Sequence, residues 1–219
     1  MKSSSQIQKD VYEELKWDPS ITQADIGVSV KEGVVTISGS VLKYAEKFAA
    51  EAAAKRVGGV TAVVDEIKVK IPGALAKDDQ DIAKAVMTAL EWHVWVPHKD
   101  IKVVVENGWV TVSGSASWEY ERNSVEKAIR YLDGVKGVTN NIILRPAVSS
   151  KDVKEKIEKA ILRTAKEDID RINVSTTDGQ VRLTGRVSNW TERSNAESAA
   201  WSAPGVSKVK NEIRIQSNL

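Results

Sequence analysis

Cysteine is absent from the 219 residues, which removes disulfides, thiolate nucleophiles, zinc ribbons and iron–sulfur ligation. Histidine is scarce, at two. An excess of one charge is missing too: 32 Lys and Arg against 30 Asp and Glu leave a formal net charge of +2, far from the basic balance of a general nucleic-acid binder. No stretch approaches the roughly 18 consecutive apolar residues of a spanning helix. Neither a phosphate-cradling Walker loop nor G-x-G-x-x-G occurs, and G-x-S-x-G is missing as well. The start, Met1-Lys2-Ser3-Ser4-Ser5, runs straight into a polar amphipathic segment without the apolar h-region of a secretory signal peptide. A cytoplasmic location is the expectation from this; the periplasm is the alternative if a signal peptide has been removed. The remaining composition, 42% hydrophobic and 28% charged, is that of a soluble globular chain rather than a disordered one.

The dominant feature is internal repetition. Gly33-Val34-Val35-Thr36-Ile37-Ser38-Gly39-Ser40-Val41 returns 75 residues later as Gly108-Trp109-Val110-Thr111-Val112-Ser113-Gly114-Ser115-Ala116. It returns again 71 residues further on as Gly179-Gln180-Val181-Arg182-Leu183-Thr184-Gly185-Arg186-Val187. The same offsets carry Gly59-Val60 onto Gly134-Val135 and Gly205-Val206, and Asp65-Glu66-Ile67 onto Asn140-Asn141-Ile142 and Asn211-Glu212-Ile213. Three homologous modules follow: residues 1–72, 76–146 and 150–219. Linkers fall near Pro72-Gly73 and from Pro146 to Ser150, where proline and small residues interrupt the pattern.

Each module reads as one unit. Ile7, Val11 and Leu15 recur at helical spacing, as do Ile82, Val86, Leu90 and Val153, Ile157, Ile161. Asp152, with Glu155 three residues on, makes a capping box for the third of these helices. A period-two strand comes next, then a hairpin. Asn107-Gly108 and Asp178-Gly179 are the dipeptides that a type I′ turn prefers, because both central residues need positive φ; Glu32-Gly33 is a weaker form. The second strand turns Val35 and Ile37, Val110 and Val112, and Val181 and Leu183 inward. Gly39, Gly114 and Gly185 near its end imply a bulge, or backbone packing that a Cβ would block. A second helix presents small apolar stripes: Ala50, Ala53, Ala54 and Val57; Val125, Ala128, Ile129 and Leu132; Ala196, Ala199, Ala200 and Ala203. A last strand follows Gly-Val. The expected fold class is α+β: three tandem α-β-β-α-β modules, each a three-stranded mixed sheet with two helices on one face.

This order, the Gly-x-Val-x-Ile/Val/Leu-x-Gly strand and the later Gly-Val…Asn/Asp-x-Ile strand resemble the BON domain, the bacterial osmotically-inducible and nodulation module, in three copies. The resemblance implies a non-enzymatic module linked to osmotic or envelope stress, with phospholipid surfaces or envelope proteins as partners. It implies no catalytic residues and no cofactor.

The residues themselves point the same way. His93 and His98 lie in one connection of the second module, without counterparts in the other two. With Asp100 they are a conceivable metal set, but solvated loop histidines are the plainer reading. Acidic residues are scattered near Lys and Arg, as on solvated helix faces. The third module holds the small basic excess, with Lys151, Lys154, Lys156, Lys159, Arg163 and Lys166 interleaved with Glu155 and Glu158 at pairing distance along a helix.

Seven Trp against one Phe is unusual usage. Trp17 and Trp92 share one repeat position, where the third module has Arg163. Trp109 alternates with the inward valines, so it belongs on the helix-free face of its sheet. Trp201 stands where Lys55 and Arg130 stand, which are surface choices. Trp190 shares a helix flank with Trp201, and Tyr44 and Phe48 hold the matching flank of the first module. In the second module that flank is polar: Glu119, Asn123, Glu126 and Arg130. Trp118 continues the core stripe and should be packed.

Two readings compete for these aromatics. One is packing between modules, whose separate cores are small; the flanks of modules one and three would then face each other, with module two excluded. The other is an exposed surface for a membrane or a protein, where indole suits the headgroup region. The segment Trp92-His93-Val94-Trp95-Val96-Pro97-His98-Lys99 is the best candidate for an anionic lipid surface. The contact candidates are thus Trp92, Trp95, His98, Lys99, Trp17, Trp109, Trp190 and Trp201. Nucleic acid is not an expected partner. The alternative function is a structural, self-associating protein without a lipid ligand.

Overall fold

A computed structural model describes residues 2–21, 25–146, 153–164 and 172–216; the side chains of His98 and of residues 161–164 are not part of that description. The first module runs α1 (Ser4–Trp17), β1 (Asp25–Lys31), β2 (Val34–Val41), α2 (Tyr44–Arg56) and β3 (Ala62–Val69). The second runs α3 (Asp79–Trp92), β4 (Ile101–Glu106), β5 (Trp109–Ala116), α4 (Glu119–Arg130) and β6 (Gly137–Leu144). The third runs α5 (Val153–Thr164), β7 (Ile172–Thr177), β8 (Gln180–Val187), α6 (Trp190–Trp201) and β9 (Lys208–Ile215). The order is α-β-β-α-β in each module.

In every sheet the middle strand is the second one, antiparallel to the strand before it and parallel to the strand after α2, α4 or α6. The antiparallel pairs close through two-residue turns with both residues at positive φ: Glu32 and Gly33, Asn107 and Gly108, Asp178 and Gly179. The weaker Glu-Gly signal therefore forms the same turn as Asn-Gly. Asp79 fastens the second turn, accepting from the N–H groups of Asn107 at 2.7 Å and Gly108 at 2.8 Å.

Gly39 and Gly114 resolve the choice between bulge and close approach. Pairing continues in register through both. A Cβ on Gly39 would lie 1.9 Å from the Asp25 carbonyl oxygen, and one on Gly114 2.1 Å from that of Asp100. Backbone proximity, together with a positive φ at each, demands glycine here.

Each module buries its own core between the two helices and one sheet face. In the first, Ile7, Val11 and Leu15 meet Val35, Ile37, Ala50, Ala53 and Ala54. Equivalent sets fill the second and third. The Asp152 cap expected for α5 lies outside the described residues, as does the side chain of Ile161. On α5 the pairs Glu155–Lys159 and Lys154–Glu158 form as the spacing predicts.

The modules also touch one another, and the second helices make the seams. Tyr44 of α2 packs against the core of module two, its hydroxyl meeting the Val138 backbone. The guanidinium of Arg130 on α4 stacks 3.2 Å from the centre of the Phe48 ring. Trp201 of α6 packs against the cores of both module two and module three, with Arg122 5.3 Å from its ring centre. Trp190 of α6 donates its indole N–H to the Val60 carbonyl of module one at 3.1 Å, and Lys55 lies 5.1 Å from its ring centre. Module one thus leans on two, two on three, and three on one.

A candidate interaction surface

The repeat positions build these seams in one cyclic sense. The first turn and a half of each second helix (Tyr44 and Phe48; Glu119 and Asn123; Trp190) faces the later positions of the next (Glu126 and Arg130; Glu197 and Trp201; Glu51 and Lys55). Two expectations are corrected by this. Module two is not excluded: the two ends of its polar flank are buried, with Glu119 9% and Arg130 8% exposed, while Asn123 between them is exposed. Arg130, and with it Trp201, is therefore not a surface choice. An Arg side chain can enter such a seam because its flat cation stacks on an aromatic face, here Phe48, while Glu126 accepts from it at 2.9 Å.

Where modules one and three insert Tyr44 and Trp190, module two inserts only Glu119, and Asn123 replaces Phe48. The missing ring volume leaves an open groove of about 530 Å³ between modules two and three, lined by Trp118, Glu119, Tyr120, Asn123, Ser198, Trp201 and Ser202. Trp118 corrects a further expectation. It is the N-cap residue of α4, only partly buried in the groove wall, and it stacks on Tyr120 with ring centres 6.3 Å apart. Trp95 and Tyr120 make a T-shaped contact with ring centres 5.7 Å apart. The groove went unseen in the sequence although a signal existed. Trp118 and Tyr120 stand where the other modules have Lys43 and Asn189, or Ala45 and Thr191.

Glu119 is the perturbed group of this region. Burial pushes its carboxyl above the usual glutamate range and the nearby Glu197 adds a little to the rise, while Arg122 and Asn123 oppose it. Arg122 donates to one carboxylate oxygen at 2.6 Å; the other is buried without a partner. Glu197 accepts from the Asn211 amide at 2.9 Å. The positive end of α4 is answered within the chain, since Glu121 accepts from the N–H groups of Ser117 and Trp118.

The remaining candidates fall into three groups. Trp17 and Trp92 end α1 and α3 and stand 87% and 83% exposed. Beyond Trp92, Val94 and Trp95 are also exposed while Val96 is buried in the core, so Val96 anchors the segment and Trp92, Val94 and Trp95 are presented outward. Lys99 is exposed at the end of the same connection, and the His98 side chain lies outside the described residues. His93 caps α3 and is partly buried, its Nδ1 without a partner. Trp109 lies on the helix-free face, half-exposed, covering Gly137 and donating to Thr139 Oγ1 at 2.8 Å. Trp190 and Trp201 are seam residues. The loop tryptophans and the groove are joined through Trp95, whereas Trp17, Trp109 and Trp190 are not gathered with them.

Comparison with known proteins adds the following. The BON domain profile matches residues 3–71, 78–146 and 149–217. Osmotically-inducible protein Y of Escherichia coli (strain K12) is 28% identical over 147 residues, 64% of this chain and 73% of that protein. Two solved structures of CdsD, a structural protein of the type III secretion system of Chlamydia trachomatis, are 16% identical and align with 96% and 98% of this chain, and with 92% and 100% of theirs. Their TM-scores are 0.28 and 0.27, so the fold is read from this chain itself.

Proposed function

Because the chain belongs to the BON domain family, which it carries in three tandem copies, we propose that it is a non-enzymatic binding and scaffold protein of osmotic or envelope stress that meets anionic phospholipid surfaces through its second module. The likeness to osmotically-inducible protein Y supports the link to osmotic stress. The observation that carries the surface contact is the joint exposure of Trp92, Val94 and Trp95 in one short connection that ends at Lys99. Large apolar groups held outward in one place mark a surface that gains by being covered. Indole rings suit the headgroup layer because the body is apolar and the N–H still finds a partner. Each basic residue near an anionic surface adds about 1 kcal/mol, which is the part for Lys99. Linked modules let weak contacts add through effective concentration. An envelope protein offering a similar apolar and acidic face is the alternative partner.

Vesicles of phosphatidylglycerol and of phosphatidylcholine, followed by co-sedimentation and Trp emission, test this. The expected result is a blue shift and pelleting with the anionic vesicles, weakened by salt and lost in Trp92→Ala/Trp95→Ala. Equal behaviour of that variant and the parent would overturn the loop as the contact. A second reading, self-association, has the helix-free sheet faces in its favour, where Val34, Val64, Val104, Trp109 and Ile143 are exposed. It predicts a mass that rises with concentration in sedimentation equilibrium without any vesicle.

A further inference from the structure

We propose that the groove between modules two and three binds an organic cation with a methylated ammonium head, held by the rings of Trp118, Tyr120 and Trp201 over the carboxylate of Glu119. This site adjoins the vesicle contact through Trp95 but does not include Trp92, which lets the two be tested apart.

Four observations lead there. First, the groove is the place where one seam of the ring lacks its filling. Tyr44 fills the seam between modules one and two and Trp190 the seam between three and one, but Glu119 occupies that position here. Its volume of about 530 Å³ is within the usual range for small-molecule sites. Second, its walls carry three aromatic residues. Ring faces attract cations through their quadrupole, and a methylated ammonium suits them best because it is weakly hydrated and has apolar edges. Arg122 beside the Trp201 ring shows that this wall already accepts a cation from within the chain.

Third, the local charge is negative. Glu119 lines the groove and Glu197 lies close enough to act on its charge, while Arg122 is bound to one oxygen of Glu119. Fourth, the second oxygen of Glu119 is buried without a partner, in a residue that is 9% exposed. An unpartnered carboxylate oxygen in such a place is costly, and a cation entering the groove offsets that cost. An anion would raise it.

The test is isothermal titration of the full chain with choline chloride, using ammonium chloride at equal ionic strength as the control. Saturable binding of choline, absent for ammonium, is expected, and Trp118→Ala and Glu119→Gln each weaken it about tenfold. Glu119→Gln keeps the shape of the side chain and its acceptor for Arg122, so loss of binding there is not loss of the fold; circular dichroism checks this for both variants. Trp92→Ala keeps choline binding, which separates the groove from the vesicle contact. Phosphocholine distinguishes the source of the cation. Tighter binding than choline indicates a lipid headgroup, and weaker binding, as the two carboxylates favour, indicates a free cation. Choline heats no larger than those of ammonium, or full affinity in Glu119→Gln, would overturn the proposal.

Discussion

At the scale of single residues, backbone proximity and burial decide. Gly39 cannot gain a side chain without pushing the Asp25 carbonyl away from β2. Gly39→Ala should therefore lower stability by about 3 kcal/mol, while Gly58→Ala, where a Cβ meets nothing within 4 Å, should stay within about 0.5 kcal/mol of the parent. Urea denaturation of the pair checks this, and similar midpoints for both variants would refute it. Glu119 yields a prediction with a sign. Its folded pKa is raised, first by burial, so the folded state binds this proton more tightly than the unfolded chain. Stability then falls as pH rises from the ordinary glutamate value through the raised one. Glu119→Gln should flatten that decline and be the more stable protein at neutral pH. An unchanged pH slope in chemical denaturation would show that another group is responsible.

At the scale of elements, the second helices serve two masters. Their apolar stripes lie on the sheet: Ala50, Ala53 and Ala54 are fully buried, and so are Val125, Ile129 and Ala200. Their flanks meet a neighbouring module. In α2 and α4 this places an aromatic ring and a guanidinium face to face, Phe48 beneath Arg130. A double-mutant cycle of Phe48→Ala and Arg130→Ala should give a coupling energy of about 1–2 kcal/mol between residues 82 positions apart. Additive losses would mean that the seam is contact without energy. The stripes were legible because helical spacing repeats three times. The flanks were legible only as aromatic or polar, since which face they meet is not encoded in local spacing.

At the scale of the whole molecule, each module rests on the next and the third returns to the first. Modules of about 70 residues bury a modest share of their surface alone, so shared seams should make them unfold together. Trp201 has a place in two cores. Trp201→Ala should cost about 2 kcal/mol and split a single calorimetric transition into two. A single sharp transition in that variant would place the coupling elsewhere in the ring.

The sequence alone determined the module count, the element order, the hairpin turns and the core stripes, because these depend on spacing between near neighbours and on repetition. Tertiary structure decided the rest. Arg130 looked like a solvated residue and is buried, and Trp118 looked like core and lines a groove. Charged side chains enter a seam only when a partner ring or carboxylate from a distant module is there to receive them. That partner lies far away in the chain, so only the folded ring of modules brings the two together.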